Sequence, residues 1–342
     1  MSNDFNDLVK AVLSKTDRIF IPDGKTLWRL PTGIPSLDKI LGGGIPAGTI
    51  TQIYGPETSG KSTLAYHIAG QAVKLGYKTA YFGIEGYSEQ YAQACGVDTK
   101  SKLFTPLSGD FAEEIFNMCI EGVRNHDLKV IVMDSIVAAI PKANIDKKQP
   151  TDNMDKGPNI GAKARSIGYF VEQLQNPIRR KHAMFIAVNQ LRSNIGRFVT
   201  SLKPAGGMAL QYYSDVKISM WGKEDANGNV ESKVTVKKGK EWEVIPFGAT
   251  VLYMRHGHGI DINRDVLLVC EKAGIIKKGG SWYTYKFGEE EVKFQGLGNF
   301  SEALRDKPEL REELYQKATQ ANIKVEVIEN EESEESGLGN AE

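Results

Sequence analysis

The chain has 342 residues, 41% of them hydrophobic, and its 43 Lys plus Arg offset 43 Asp plus Glu. Such a length buries a substantial core as one large domain with additions, or as two domains, without covalent staples. Three scattered cysteines (Cys95, Cys119, Cys270), no CxxC pair and five histidines argue against a disulfide framework and a structural zinc site, no run approaches a membrane span, and the acid-containing start MSNDFNDLVK is not a signal peptide. A soluble, intracellular, globular protein is the expectation.

In chain order, Phe5, Leu8, Val9, Val12 and Leu13 form a helical apolar stripe, and polar and turn-forming residues then set it off from the rest as an arm. A short helix over Ser36–Leu41 leads into the glycine-rich loop 42–48. Strand and helix then alternate: strand Thr49–Tyr54, helix Ser62–Leu75, strand Thr79–Ile84, a short helix around Glu89–Ala94, helix Phe111–Val123, strand Val130–Asp134, helix Ile160–Gln175 and strand Ala183–Gln190. This alternation predicts an α/β fold, a mostly parallel sheet with helices on both faces. Beyond about residue 210, Val216–Trp221 and Val230–Val236 flank AsnGlyAsn (227–229) as a hairpin, and Ala249–Arg255 reads as a further strand. A helix at Asp265–Lys272, a strand through GlySerTrpTyrThrTyr and a helix at Pro308–Thr319 make a small α+β appendage. The expected division is an arm (1–30), a core (31–260), a small C-terminal domain (261–323) and an acidic tail (324–342).

That tail holds seven Glu and one Lys, which leaves a body of net charge +6. It is either a disordered solubility tail or an electrostatic competitor for a basic surface elsewhere.

Gly55-Pro56-Glu57-Thr58-Ser59-Gly60-Lys61-Ser62 fits G-x4-G-K-[ST] between an expected strand and an expected helix, the context the phosphate-loop motif requires. Glycines let backbone N–H groups turn inward around phosphate, and the helix N-terminus adds positive potential. Lys61 would reach the β and γ phosphates and the Ser62 hydroxyl would face Mg²⁺. Asp134, closing the apolar run Val130–Met133, is either a helix cap or the metal-positioning acid, direct or through water. Glu85 ends the neighbouring strand, and strand carboxyl ends are where such sheets bind ligands, so Glu85 would polarise the attacking water. Two long irregular stretches, near 142–160 and 191–207, carry basic residues. They are either mobile surface loops or grips on a nucleic-acid strand.

Several segments together resemble the bacterial RecA recombinase family: ProThrGlyIleProSerLeuAsp (31–38), GlyProGluThrSerGlyLysSerThr (55–63), TyrAlaGlnAlaCysGlyValAsp (91–98), ValIleValMetAspSer (130–135), AsnGlnLeuArg (189–192), GlyGlyMetAlaLeuGlnTyrTyr (206–213) and GlySerTrpTyrThrTyr (280–285). The likeness covers about residues 30–300. It implies a P-loop NTPase core and an ATP-dependent recombinase that forms helical filaments on single-stranded DNA, pairs it with homologous double-stranded DNA and hydrolyses ATP with Mg²⁺. Glu85 and Lys61 would be catalytic, Gln190 would sense the γ-phosphate, and Thr63 and Tyr91 would join the loop at the nucleotide, Tyr91 stacking on adenine. Lys238 and Lys240 would reach the neighbouring subunit's ATP, and Tyr212 and Lys217 would lie at the subunit interface. Arg165, Arg192, Gly206, Gly207 and Met208 would hold DNA, with Ile195 and Phe198 as intercalating candidates. Loader or single-strand-binding proteins are candidate partners, and the compartment would be a bacterial cytoplasm or a phage-infected host. The chain departs from the family in a segment between Glu85 and Tyr91 that is one residue short, in Glu172 at a normally basic position, and in two extra residues after Lys240. A ring motor of the helicase kind, a regulatory ATPase acting on a recombinase, a nucleotide-switched scaffold and a small-molecule kinase are the rival readings.

Overall fold

A computed structural model describes residues 5–14, 28–142, 161–195 and 200–328. Helix α1 (Phe5–Leu13) has no buried residue; Phe5 and Leu8 are exposed, while Val9, Val12 and Leu13 are half-buried. Strand β1 (Arg29–Leu30) and helix α2 (Pro35–Ile40) lead to β2 (Ile45–Pro46), which pairs antiparallel with β1. The Thr32 amide and hydroxyl each donate to Asp38 Oδ1 at 2.7 Å, which seats α2 at its entry.

The alternation then appears as expected: β3 (Ile50–Gly55), α3 (Lys61–Lys74), β4 (Thr79–Gly83), α4 (Glu89–Ala94), β5 (Phe104–Leu107), α5 (Ala112–Asn125), β6 (Val130–Asp134), α6 (Ala162–Lys181) and β7 (Met184–Ile195). Strand β6 is buried at every position, because helices cover both faces of a parallel sheet and no side can stay polar. Helix α6 runs past the expected end at Gln175. Pro177 lies within it and is buried, so ring burial offsets the lost amide bond.

Strand β7 also outruns expectation. Instead of becoming irregular after Gln190 it continues to Ile195 and pairs antiparallel with β8 (Thr200–Pro204), from Leu191 opposite Pro204 to Ile195 opposite Thr200. Helix α7 (Met208–Tyr213) follows, then β9 (Val216–Glu224), β10 (Val230–Gly239), β11 (Gly248–Arg255) and β12 (Gly259–Ile260). The main sheet runs β12-β11-β10-β9-β3-β7-β6-β4-β5, parallel from β9 to β5 and antiparallel beyond.

The C-terminal unit comprises α8 (Ile262–Lys272), a three-stranded sheet of β13 (Lys277–Gly279), β14 (Trp282–Phe287) and β15 (Glu290–Gln295), then α9 (Leu297–Asp306) and α10 (Pro308–Gln320). It has its own core around Leu267, Cys270, Phe300, Leu304 and Leu314. Asp265, buried on α8, ties it to α2 by accepting from the Ser36 amide at 3.0 Å and from the Ser36 hydroxyl. The chain then returns to the main sheet: β16 (Glu326–Val327), which composition assigns to the acidic tail, pairs antiparallel with β11. The remainder of that tail, 329–342, lies outside the described residues. Among the described residues no helix is long and apolar enough to cross a membrane.

Candidate functional site

Gly55 ends β3 and Lys61 starts α3, so the phosphate loop spans the gap between strand and helix. Gly60 takes φ +84°, which an L side chain rarely adopts, and a Cβ there would fall 2.1 Å from Met254 Sδ, so a substitution would strain the loop and displace the Met254 side chain. The Leu64 amide bonds back to the Gly60 carbonyl at 3.0 Å, and the amides before it have no carbonyl a turn earlier to bond. Lys61 folds along this loop: its ammonium donates to the Pro56 carbonyl and to Ser59 Oγ at 3.3 Å. Burial pulls its pKa down, and the charges of Asp134, Glu85 and Glu57 oppose that.

Three further side chains arrive from adjacent strands. Asp134 closes β6, is 7% exposed, and is hydrogen-bonded by Ser62 and by the Tyr81 hydroxyl, the latter 2.9 Å from Oδ2. Burial pushes its carboxyl up, and those two bonds restrain the rise. Glu85 lies just beyond β4, where the Asp134 carbonyl accepts the amide of Ile84 at 2.8 Å. Gln190 Nε2 donates to Glu85 Oε1 at 3.0 Å and Oε2 at 3.1 Å, and the Ser135 hydroxyl also donates to Oε1. The sheet order β4-β6-β7-β3 therefore brings Glu85, Asp134, Gln190 and the phosphate loop together at one edge.

The donor chemistry at Ser62 and Asp134, a hydroxyl and a carboxylate, suits a hard cation such as Mg²⁺. Two protein oxygens leave most of such a shell open, to be filled by phosphate oxygens and waters. Beside the loop lies a cleft of about 410 Å³, with Tyr91 on one wall and Met254, Arg255, His256 and Gly257 on another. The Tyr91 hydroxyl lies 2.7 Å from Thr63 Oγ1, which holds the ring over the first turn of α3. Sequence reasoning missed the Met254–Gly257 wall. The signal lies in the strand pairing: β11 runs in the same direction as β3, so the glycine-containing turn after it opens on the same edge.

The residues expected to touch DNA divide into two groups. The side chains of Arg192 and Ile195, all of Phe198, and the first loop from 143 to 160 lie outside the described residues. Lys142, at the start of that loop, is held to Glu114 at 2.6 Å. The others gather at the junction of α6 and α7: Gly207, at φ +88°, would place a Cβ 2.8 Å from Ala164 Cβ, next to the exposed Arg165. Met208, at the start of α7, is 82% exposed. The backbone ties this junction to Gln190: the Ala205 amide donates to the Gln190 carbonyl at 2.9 Å, and Asn189 Nδ2 donates to the Ala205 carbonyl at 2.7 Å.

Lys238 and Lys240 do not join the phosphate loop of their own chain. Gly239 is level with Val216, which is level with Thr51, at the opposite end of β3 from Gly55. Lys238 Nζ donates to the Tyr212 carbonyl at 3.0 Å, and Lys240 pairs with Asp215 at 2.9 Å. Burial lowers the Lys238 pKa, and neighbouring Lys240 and Lys217 lower it further. Lys217 lies over the Tyr54 ring, and Tyr212 is exposed. Glu172 is exposed on α6.

Comparison with known proteins matches residues 23–261 to the RecA N-terminal domain and 265–322 to the RecA C-terminal domain. Protein RecA of Thermus aquaticus is 35% identical over 314 residues, covering 90% of this chain and 89% of that protein. Protein RecA of Bifidobacterium breve is 35% identical over 298 residues (84% and 72%), and that of Thermus thermophilus is 35% identical over 306 (86% of each).

Proposed function

The chain belongs to the RecA family, as a RecA-type recombinase and DNA-dependent ATPase, and from that premise we propose how its residues divide the work. Residues 55–63 and Tyr91 hold ATP, with Ser62 and Asp134 at the Mg²⁺ that accompanies it. Bound there, the cation neutralises phosphate charge. Glu85 orients and deprotonates the attacking water. Lys238 and Lys240, too far along the sheet to serve their own nucleotide, serve that of the next subunit, and with Lys217 they form a cationic cluster suited to phosphates.

The observation that carries this reading is the double attachment of Gln190. Its side chain is bonded to Glu85, while its carbonyl anchors the return strand of the 191–207 hairpin. A γ-phosphate that draws the amide away from Glu85 frees the carboxylate for water and tugs the hairpin in the same movement. Hydrolysis reverses both, so the grip on DNA loosens once the phosphate is gone. A strand held by its backbone leaves bases free to test a duplex, so pairing reads the sequence and the loops stay sequence-tolerant.

Filament growth uses α1. The apolar side chains it exposes, Phe5 and Leu8, would dock on a second copy in the groove of about 440 Å³ between edge strand β5 and α5, lined by Leu103, Leu107, Met118 and Leu128. The test is ATP hydrolysis with and without single-stranded DNA over a salt series, with Lys61→Ala as the inactive control. Strong stimulation that fades as salt rises is expected. Turnover indifferent to DNA would overturn the coupling, and turnover retained by Lys61→Ala would overturn the site.

A further inference from the structure

Asp134 has an unusual neighbour for a carboxylate at the end of a buried apolar strand. Tyr81 is fully buried on β4, where Phe would fill the same space, yet it carries a hydroxyl. A buried hydroxyl costs free energy unless it is hydrogen-bonded. This one is directed to Asp134 Oδ2, at 2.9 Å. The ring cannot swing away, because it stacks on Tyr66 of α3 with centroids 4.4 Å apart and planes 8° from parallel. Tyr66 in turn meets the ring of Tyr91 edge-on at 6.0 Å, so one run of aromatic side chains joins the nucleotide cleft to the acid. The register fixes the approach: Tyr81 lies opposite Val132 and Gly83 opposite Asp134, so the tyrosine reaches the carboxylate from two residues back on the adjoining strand.

We propose that Tyr81 is a positioning residue for Mg²⁺ in the Mg–nucleotide complex. Its hydroxyl occupies one oxygen of Asp134 and locks the carboxylate rotamer, so the remaining lone pairs stay directed at Ser62 and the cation. Without that bond Ser62 is left as the side chain that hydrogen-bonds the carboxylate, and one of its oxygens loses its fixed partner. The proposal rests on Asp134 being the acid that faces the metal. Hydrogen-bond partners of metal-binding carboxylates are worth about 10- to 100-fold in metal affinity.

The experiment is mant-ATP binding to the full chain, without DNA, titrated with Mg²⁺ and repeated in EDTA, for wild type, Tyr81→Phe and Asp134→Asn. Phe keeps the ring and its stack. For Tyr81→Phe the Mg²⁺ midpoint should rise about 10- to 100-fold, while affinity in EDTA stays at its wild-type value and the chain remains folded. An unchanged Mg²⁺ midpoint overturns the proposal. So does an equal loss of affinity in EDTA, which marks Tyr81 as packing alone. If Asp134→Asn also leaves the midpoint unmoved, the assignment of Asp134 fails first. If Asp134→Asn moves it and Tyr81→Phe does not, only the inference about Tyr81 falls.

Discussion

Gln190→Ala would remove both amide bonds to Glu85 and leave the backbone bond from Ala205 to residue 190 in place. Hydrogen bonds to a charged group contribute about 1.5–3 kcal/mol each. Glu85 is exposed and both bonds come from one amide nitrogen, so solvent screens them below that range and the pair is worth about 1–2 kcal/mol. If these are the bonds a γ-phosphate takes over, this bounds the coupling free energy between nucleotide and DNA, equivalent to about 5- to 30-fold in affinity. The assay is fluorescence anisotropy of a labelled oligonucleotide with a slowly hydrolysed ATP analogue and with ADP. The ratio of the two affinities should be of that order in wild type and should collapse toward one in the variant. Linkage supplies a second reading, since DNA must tighten nucleotide binding by the same factor. A variant that binds DNA normally and keeps the full wild-type ratio would show that the signal bypasses Gln190.

Two other outcomes follow from charges described above. Glu85→Gln should retain ATP and DNA binding while turnover falls at least about 100-fold, the usual worth of a general base; lost nucleotide affinity would show a binding role instead. Burial raises the Asp265 carboxyl to about 6, above its unfolded value, so its stabilising contribution is full below the unfolded pKa and is lost as pH rises through about 6. That amounts to at most about 3 kcal/mol. Between pH 4 and 7.5 the melting temperature of Asp265→Asn should therefore fall less than that of wild type, and equal falls would mean that the charge is not buried as described.

Much of the core was legible because burial on both faces leaves a plain apolar run, as in Val130–Met133, and because the phosphate loop announces the strand before it and the helix after it. Strand β5 was not: it is an edge strand with Pro106 in it and one fully buried residue, Phe104, so it lacks both period and propensity. Strand β15, GluGluValLysPheGln, belongs to a small sheet with one face in water and carries too little apolar content to stand out. At the site, Lys61 begins α3, Asp134 ends β6 and Glu85 follows β4 by two residues, so each could be located from the elements beside it. The bonds that organise them could not, since Tyr81 and Asp134 are 53 positions apart and Gln190 and Glu85 are 105 apart. Strand pairing brings them together, and no local pattern encodes it.

The continuity of β7 through Gln190 limits how this molecule can vary. A ladder pairs residues one to one, so adding or deleting one residue within 191–195 would shift the pairing with β8 by one position. It would also leave Gln190 out of step with the strand that Ala205 anchors. Changes of length are therefore tolerable only beyond the last ladder pair, between Ile195 and Thr200. On the proposed division of work, the hairpin could be retuned for different nucleic-acid strands only beyond that last pair, while its root would have to keep the same residue count to stay linked to the ATP site.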